Sequence, residues 1–226
     1  MAWYRDEMAA LLAAKRYGGI LMLLLCGALL FVFMLDRPAS AWLRGMGERS
    51  RGFWELLDRA GFVPLLGLMA LLALAGAAAA SVPSLRRWGR DLLSWGGFSV
   101  AALALTWGLV RLEEIVFGRP RPLVVDQGVP AQFDFLNLSP DFASMPAAAA
   151  AACFAAACLL GIRWPRPAPL FYLAALPPAL APVMLGQHWP SDALAGGALG
   201  VATVLILRLC LVEGVARMDA RAAGND

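Results

Sequence analysis

Residues 18–35 read GGILMLLLCGALLFVFML and contain no charged side chain. A helix needs roughly 20 mostly apolar residues to cross the hydrocarbon core of a bilayer, so this run has the composition and nearly the length of a membrane span. Asp36-Arg37-Pro38 follows directly and predicts the end of the span. The run is too long for the apolar core of a cleavable signal peptide, which has about 7–15 residues. We therefore predict a first span that stays in the membrane.

Similar apolar runs recur throughout the chain, which is 61% hydrophobic and only 15% charged. Soluble domains carry roughly 25% charged residues. We predict an all-α, polytopic membrane protein that forms a single domain over residues 1–226. Its six spans should cover about residues 18–35, 62–82, 92–116, 143–162, 168–185 and 191–212.

Residues 40–60 have a different pattern, because large apolar side chains alternate there with charged ones. This pattern predicts an amphipathic helix that lies in the membrane interface and is broken between Gly45 and Gly52. A solvated connecting loop is the alternative.

The basic residues predict the orientation, because short cytoplasmic loops carry an excess of Lys and Arg. With six spans, four basic pairs or clusters fall on one side, at 15–16, 86–90, 163–166 and 217–221. Both termini should then be cytoplasmic, and the loop at 117–142 should be external. The Ala-, Gly- and Arg-rich composition favours a bacterial inner membrane. No continuous basic stripe suggests a nucleic-acid partner.

Three polar segments should meet on the external face: Phe117-Gly118-Arg119-Pro120-Arg121-Pro122, Ser144-Met145-Pro146 and Gly186-Gln187-His188-Trp189-Pro190-Ser191-Asp192. His188 is the only histidine and precedes Asp192 by four residues. A carboxylate beside an imidazole fixes its tautomer and raises its basicity, which suits a nucleophile or a general base. The alternative is an interfacial histidine bonded to an aspartate that caps the last helix.

Arg119 and Arg121 are candidate anion ligands, since a guanidinium group matches phosphate oxygens with two parallel hydrogen bonds. The alternative is a proline-stiffened loop whose arginines contact lipid head groups. We predict no metal and no cofactor.

Taken together, the three segments resemble the type 2 phosphatidic acid phosphatase superfamily, which also contains the vanadium haloperoxidases. The family motifs KxxxxxxRP, PSGH and SRxxxxxHxxxD occur in that order, and the segments match the end of the first, the start of the second and the end of the third. The resemblance implies a lipid-phosphatase-like helical bundle. It also implies that His188 attacks phosphate, that Asp192 orients His188 and that Arg121 binds phosphate oxygens.

The remaining motif positions depart from the family pattern at Glu114, Ala147, Ala148, Ala149, Ala181 and Pro182. Glu114 stands where the family has lysine, and Ala149 stands where it has the acid histidine. A general acid typically contributes about 10²–10⁴-fold to the rate. One lost donor to the developing charge typically costs about 10²–10³-fold.

These departures predict a phosphatase-like membrane protein with impaired catalysis that binds a phosphorylated lipid or isoprenoid, or a membrane protein partner. An active lipid phosphatase with a remodelled site, using His188 as nucleophile, is the first alternative. A structural membrane subunit, in which His188 and Asp192 only cap and pack the last helix, is the second.

Overall fold

The computed structural model describes the backbone of residues 7–59 and 62–223, with side chains for residues 17–59 and 63–211. Every regular element in these residues is helical, as predicted. The helices are α1 (Glu7–Leu30), α2 (Asp36–Glu48), α3 (Arg51–Arg59), α4 (Phe62–Ser81), α5 (Arg86–Phe117), α6 (Pro122–Asp126), α7 (Ala148–Arg163), α8 (Ala168–Met184) and α9 (Pro190–Ala223). A π-helical turn, Phe31–Leu35, joins α1 to α2, and a 3₁₀ turn, Pro140–Phe142, precedes α7.

Several of these helices have the length and apolarity of membrane spans. Within the described residues, three helical stretches qualify on both counts: Tyr17–Glu48, Arg51–Ser81 and Pro190–Leu211. Two further apolar helices, Ala148–Arg163 and Ala168–Met184, are shorter, and the predicted third span lies inside α5. The helices thus fit a polytopic membrane protein, while the number of six spans stays a prediction.

The chain does not leave the helical conformation at Asp36-Arg37-Pro38, where we expected the first span to end. The backbone N–H of Asp36 donates to the carbonyl oxygen of Phe31, five residues earlier, and helix α2 then continues to Glu48. Pro38 is tolerated because it lies in the first turn of α2, where its missing N–H costs little. The π-helical turn shifts the register of the following helix, so that Asp36, Ser40 and Gly47 are its buried residues.

The described part of this segment, residues 40–59, is helical rather than an irregular loop. It forms the rest of α2 and all of α3, with the break at residues 49–50, inside the predicted interval. Gly47 lies so close to the end of α8 that an added Cβ would come within 2.2 Å of the carbonyl oxygen of Met184. Trp42, Phe53 and Leu56 are more than half exposed, which suits the predicted position in the membrane interface.

The core lies where the alanine-rich α7 packs against α9. An added Cβ at Gly196 would lie 2.3 Å from the carbonyl oxygen of Ala147, and one at Gly200 would lie 2.1 Å from that of Ala151. The two backbones therefore touch, as small residues allow between membrane helices. This close contact places the start of α9 beside the start of α7, and these two helix starts carry the second and third polar segments.

Candidate functional site

The three polar segments meet at one end of the helical bundle, as predicted. The backbone N–H of Ser144 donates to the carbonyl oxygen of Arg119 at 3.2 Å, which joins the first segment to the second. The N–H of Ala147 donates to the carbonyl oxygen of Asp192 at 2.9 Å, which joins the second to the third. The indole Nε1 of Trp189 donates to the carbonyl oxygen of Pro120 at 2.9 Å, which closes the ring. Two of these three contacts are backbone hydrogen bonds, and the third needs the indole of Trp189.

Helix α9 begins at Pro190, just after His188 and Trp189. Proline is favoured at this first helical position, because its missing N–H would have no partner there. Two residues on, the Oδ2 atom of Asp192 accepts the backbone N–H of Trp189 at 2.8 Å. Asp192 thus accepts a hydrogen bond from the residue that precedes the helix, as the acidic residue of a capping box does. The capping role that we considered for Asp192 exists, together with its other contacts.

The imidazole of His188 is buried and held by a backbone carbonyl. Its Nδ1 lies 2.6 Å from the carbonyl oxygen of Ser144. Because a carbonyl oxygen only accepts, Nδ1 carries the proton and Nε2 is left with its lone pair. Asp192 Oδ2 lies 3.9 Å from Nδ1, too far for a hydrogen bond. Asp192 instead reaches His188 through Ser144, whose hydroxyl donates to Asp192 Oδ2 at 2.6 Å.

Burial lowers the pKa of His188 to about 4, and the positive charges of Arg121 and Arg119 act in the same direction. The hydrogen bond to the Ser144 carbonyl opposes the shift only in part. The imidazole is therefore neutral at pH 7, with a lone pair on Nε2. This protonation state is the one that a nitrogen nucleophile or a general base requires.

Arg119 lies at the centre of a buried ion cluster. Its Nη1 donates to Asp192 Oδ1 at 2.5 Å and to Ser191 Oγ at 2.6 Å, and its Nη2 donates to Asp36 Oδ2 at 2.6 Å. The guanidinium also lies over the ring of Trp189, with its Cζ atom 5.4 Å from the ring centroid. We call Asp36, Arg119, Ser191 and Asp192 the Arg119 cluster. Within it the guanidinium is bound by two carboxylates of the same chain.

Asp36 is the member of this cluster that the sequence analysis missed. Its carboxylate accepts the backbone N–H of Ser191 at 3.0 Å and the hydroxyl of Ser191 at 2.5 Å, in addition to the bond from Arg119. We had interpreted Asp36 only as the end of the first span. One signal was available, since an ionisable residue at the edge of a span commonly has a functional or structural partner. Its partner lies 83 positions away and could not be read from local pattern.

Arg121 faces His188 but also supports its own loop. Its Nε donates to the carbonyl oxygen of Pro140 at 3.1 Å, and its Nη2 donates to that of Ala143 at 3.2 Å. A guanidinium group has five N–H donors, so these two bonds leave others able to meet an oxyanion. Its charge acts on the imidazole of His188. Arg121 as a phosphate ligand stays a prediction.

Most of the motif positions that depart from the family pattern have apolar side chains, which offer the site no polar groups. Ala147 is fully buried, and Ala148 and Ala149 follow it as the first residues of α7. Ala181 and Pro182 are buried near the end of α8, and the Pro182 carbonyl accepts the N–H of Gln187 at 2.8 Å, which shapes the turn before His188. The carboxylate of Glu114 is bound by Arg111 at 2.7 Å. The negative charge that replaces the family lysine is thus matched within its own helix.

The comparisons with known proteins agree with this geometry. A family model described as the PAP2 superfamily matches residues 95–214, which is more than half of the 226-residue chain. The match contains all three polar segments, and it does not reach Asp36. No curated protein and no solved structure matches the chain significantly.

Removing the charge of Asp36 should weaken the whole bundle. We expect Asp36→Asn to lower the free energy of unfolding by about 3 kcal/mol, because a buried guanidinium group loses one of its two carboxylates. Asp126→Asn is the matched control: Asp126 is paired with Arg44 but is half exposed, and such pairs are worth about 1 kcal/mol or less. Chemical unfolding of the detergent-purified proteins measures both values. Equal losses would show that the Arg119 cluster contributes no more than a surface pair.

The low pKa of His188 should make stability depend on pH. An unfolded imidazole takes up its proton near pH 6.5, whereas the folded one does so only near pH 4, so acid favours the unfolded chain. The contribution of His188 to the free energy of unfolding should therefore fall by about 3 kcal/mol as the pH drops through this window. Asp192 acts in the opposite direction, because burial raises its pKa to about 6 and the folded chain then takes up that proton first. His188→Gln should lack this component, because the chain has no other histidine. Parallel pH curves for the two proteins would contradict the assignment.

Proposed function

The chain belongs to the PAP2 superfamily, and from that premise we propose that it is a phosphatase-like membrane protein that has lost ordinary turnover. In this proposal the face formed by His188 and Arg121 binds a phosphorylated lipid or isoprenoid. The ligand of this face is alternatively a membrane protein partner. The active phosphatase is the competing function.

The main support for the proposal is that the guanidinium group of Arg119 is already bound by side chains of the protein itself. Both terminal nitrogens of its guanidinium group donate to carboxylates of the chain, Asp36 and Asp192. A phosphate oxygen at Arg119 would compete with these two carboxylates for the same positive charge, and the carboxylates are held in place by further hydrogen bonds. Arg119 therefore stabilises the fold and has little capacity left to stabilise a transition state.

The alanine segment at the start of α7 also lacks the catalytic side chains of the family pattern. Ala149 stands where the family pattern has a histidine, and a methyl group donates no proton to a leaving alkoxide. The loss of a general acid typically costs about 10²–10⁴-fold in rate. Ala147 likewise offers no side-chain donor, and its backbone N–H is bound to Asp192.

The replacement of these motif side chains should weaken phosphate binding less than it slows phosphate hydrolysis. Arg121 keeps unused N–H donors beside His188, and a charge-assisted hydrogen bond to a phosphate oxygen is stronger than a neutral one. Neutral His188 adds an acceptor at Nε2, which suits a monoprotonated phosphate. The apolar surface of the surrounding helices gives an acyl or isoprenyl chain a place to lie.

One feature favours the active phosphatase instead. His188 is neutral and its Nε2 lone pair is free, as attack on phosphorus requires. In that reaction Nε2 would bond to phosphorus, the lipid alkoxide would leave with a proton from water, and a second water would release phosphate from the phosphohistidine. The proton donor would have to be solvent, because Ala149 supplies none.

We propose that the protein lies in a bacterial inner membrane with six spans, with both termini in the cytoplasm and the His188 face outside. This orientation is testable with single cysteines in a chain whose native cysteines are replaced by serine. A membrane-impermeant maleimide should label Gln127→Cys in spheroplasts and Arg87→Cys only after lysis, since these exposed positions lie on opposite sides. Labelling of both, or the reverse pattern, would refute the topology.

The decisive experiment measures turnover and binding on the same protein. Detergent-purified chain is incubated with phosphatidic acid, lysophosphatidic acid and isoprenyl phosphates, and phosphate release is compared with that of His188→Ala. We expect no release above the variant, because acid and donors are missing. We also expect Arg121→Gln to weaken binding of the lipid phosphates by about tenfold, the size of one charge-assisted hydrogen bond.

Arg49→Gln is the matched control for binding, since Arg49 is an exposed arginine in the turn between α2 and α3. It should bind the lipid phosphates as the unmodified chain does. Turnover that His188→Ala abolishes would establish the active phosphatase instead. Equal binding by Arg121→Gln and Arg49→Gln would remove the His188 face as the phosphate site.

A further inference from the structure

A cleft of about 330 Å³ lies beside the Arg119 cluster, with Asp36, Arg119 and Trp189 in its wall. It is bounded by the π-helical turn and the start of α2, and by the loop around Arg119 and Ala131. Neither His188 nor Asp192 lines it. The cleft is thus lined by residues other than His188 and Arg121, although their neighbours Trp189 and Pro120 contribute to its wall.

The rim of the cleft contains both apolar residues and a positively charged residue. On one side Phe33 and Met34 are 80% and 71% exposed, and they continue the apolar surface of the first span. Arg37 follows them by about one helical turn, is exposed and has no ion-pair partner among the described residues. Apolar residues beside an exposed arginine at the end of a span are suited to the boundary between lipid chains and head groups.

The floor of the cleft contains the carboxylate of Asp36. Oδ2 of this carboxylate accepts two hydrogen bonds, from Arg119 and from Ser191, whereas Oδ1 accepts one, from the backbone of Ser191. A carboxylate oxygen can accept two, so Oδ1 has capacity for another donor. Arg119 also lines the floor, but its charge is shared by Asp36 and by Asp192 behind it.

The cleft thus presents a free cation at its rim and a carboxylate with spare acceptor capacity at its floor. The complementary ligand carries a phosphate and, a few bonds away, an ammonium group that still has N–H donors. We propose that this cleft binds the head group of an ethanolamine phospholipid, with the phosphate on Arg37, the ammonium on Asp36 and the acyl chains along Phe33 and Met34. The proposal does not depend on the function proposed for the His188 face.

The charges also define what the cleft should reject. A choline head group has no N–H to donate to Oδ1, and its methyl groups keep the cation farther from the carboxylate. A glycerol phospholipid or phosphatidic acid carries negative charge but no ammonium group, so it has no cation to bind Asp36. Preference for a phosphate monoester belongs to the His188 face, so the two sites differ in the lipid that they select.

The test is lipid binding by the full chain in detergent, followed by native mass spectrometry with dioleoyl lipids bearing ethanolamine, choline or glycerol head groups. We expect the ethanolamine lipid to bind about tenfold more tightly than the other two, the difference of one charge-assisted hydrogen bond. Similar affinities for all three lipids, or a preference for the glycerol lipid, would overturn the proposal. Free phosphoethanolamine, which lacks the acyl chains, should bind much more weakly. Equal binding would mean a soluble ligand and would overturn the lipid assignment.

Two variants locate the binding in the cleft without disturbing the Arg119 cluster. Arg37→Gln should weaken ethanolamine-lipid binding by about tenfold. Ala131→Trp should block it, because the exposed Ala131 borders the cleft and an indole would fill it. Arg49→Gln and Ala101→Trp are the matched controls at exposed positions outside the cleft, and they should bind as the unmodified chain does.

Retention of full binding by both Arg37→Gln and Ala131→Trp would overturn the proposal. His188→Ala should leave ethanolamine-lipid binding unchanged, whereas it should alter the behaviour of lipid phosphates at the other face. The two proposals can therefore fail separately. Thermal unfolding of each variant shows whether it is folded before its lipid binding is compared.

Discussion

The guanidinium group of Arg119, held between Asp36 and Asp192, is the interaction on which the end of the bundle with the three polar segments depends. It connects the end of the first apolar helix to the start of the last one, 155 positions apart along the chain at Asp36 and Ser191. A buried ion cluster of this kind adds little net stability over a well-packed apolar core, because its charges must be desolvated. Its contribution is geometric, because its donors and acceptors fix the end of the first apolar helix beside the start of the last one. Asp192, fixed in this way, holds the hydroxyl of Ser144, whose carbonyl in turn holds His188.

The three motif segments stay joined although several side chains of the family pattern are replaced in this chain. Two of the contacts that join the three motif segments are backbone hydrogen bonds, which do not require the side chains of the family pattern. Ala147 illustrates this, because its N–H binds the Asp192 carbonyl although its methyl group offers phosphate nothing. Catalytic side chains can therefore be replaced while the fold is kept. A family pattern in this chain shows the architecture more securely than it shows the reaction.

The two arginines of the first segment show what tertiary structure adds to a motif. Sequence placed both as anion ligands, with Arg121 at the family position. In the structure Arg119 is buried and bound by carboxylates, whereas Arg121 is partly exposed, binds two loop carbonyls and acts on His188. They lie two residues apart in a loop whose direction is set by Gly118, which has a positive φ of 52°, and by the prolines that follow. Which arginine turns inward depends on that backbone path and on the position of Asp36, and neither is encoded within the motif.

Sequence by itself predicted the helical class, the approximate positions of the apolar helices and the meeting of the three polar segments at one end, and it left open whether residues 40–60 are helical. These features follow from local rules, since apolar runs of fixed length and the order of motifs are visible without knowing any long-range contact. Only the tertiary structure decided that the first helix continues through Pro38, that Asp36 binds Arg119 and that His188 is held by a carbonyl instead of by Asp192. The physical reason is that a buried charge or hydrogen-bond donor is satisfied by whichever acceptor packing brings near it. That partner lies dozens of residues away, at a distance over which sequence periodicity carries no information.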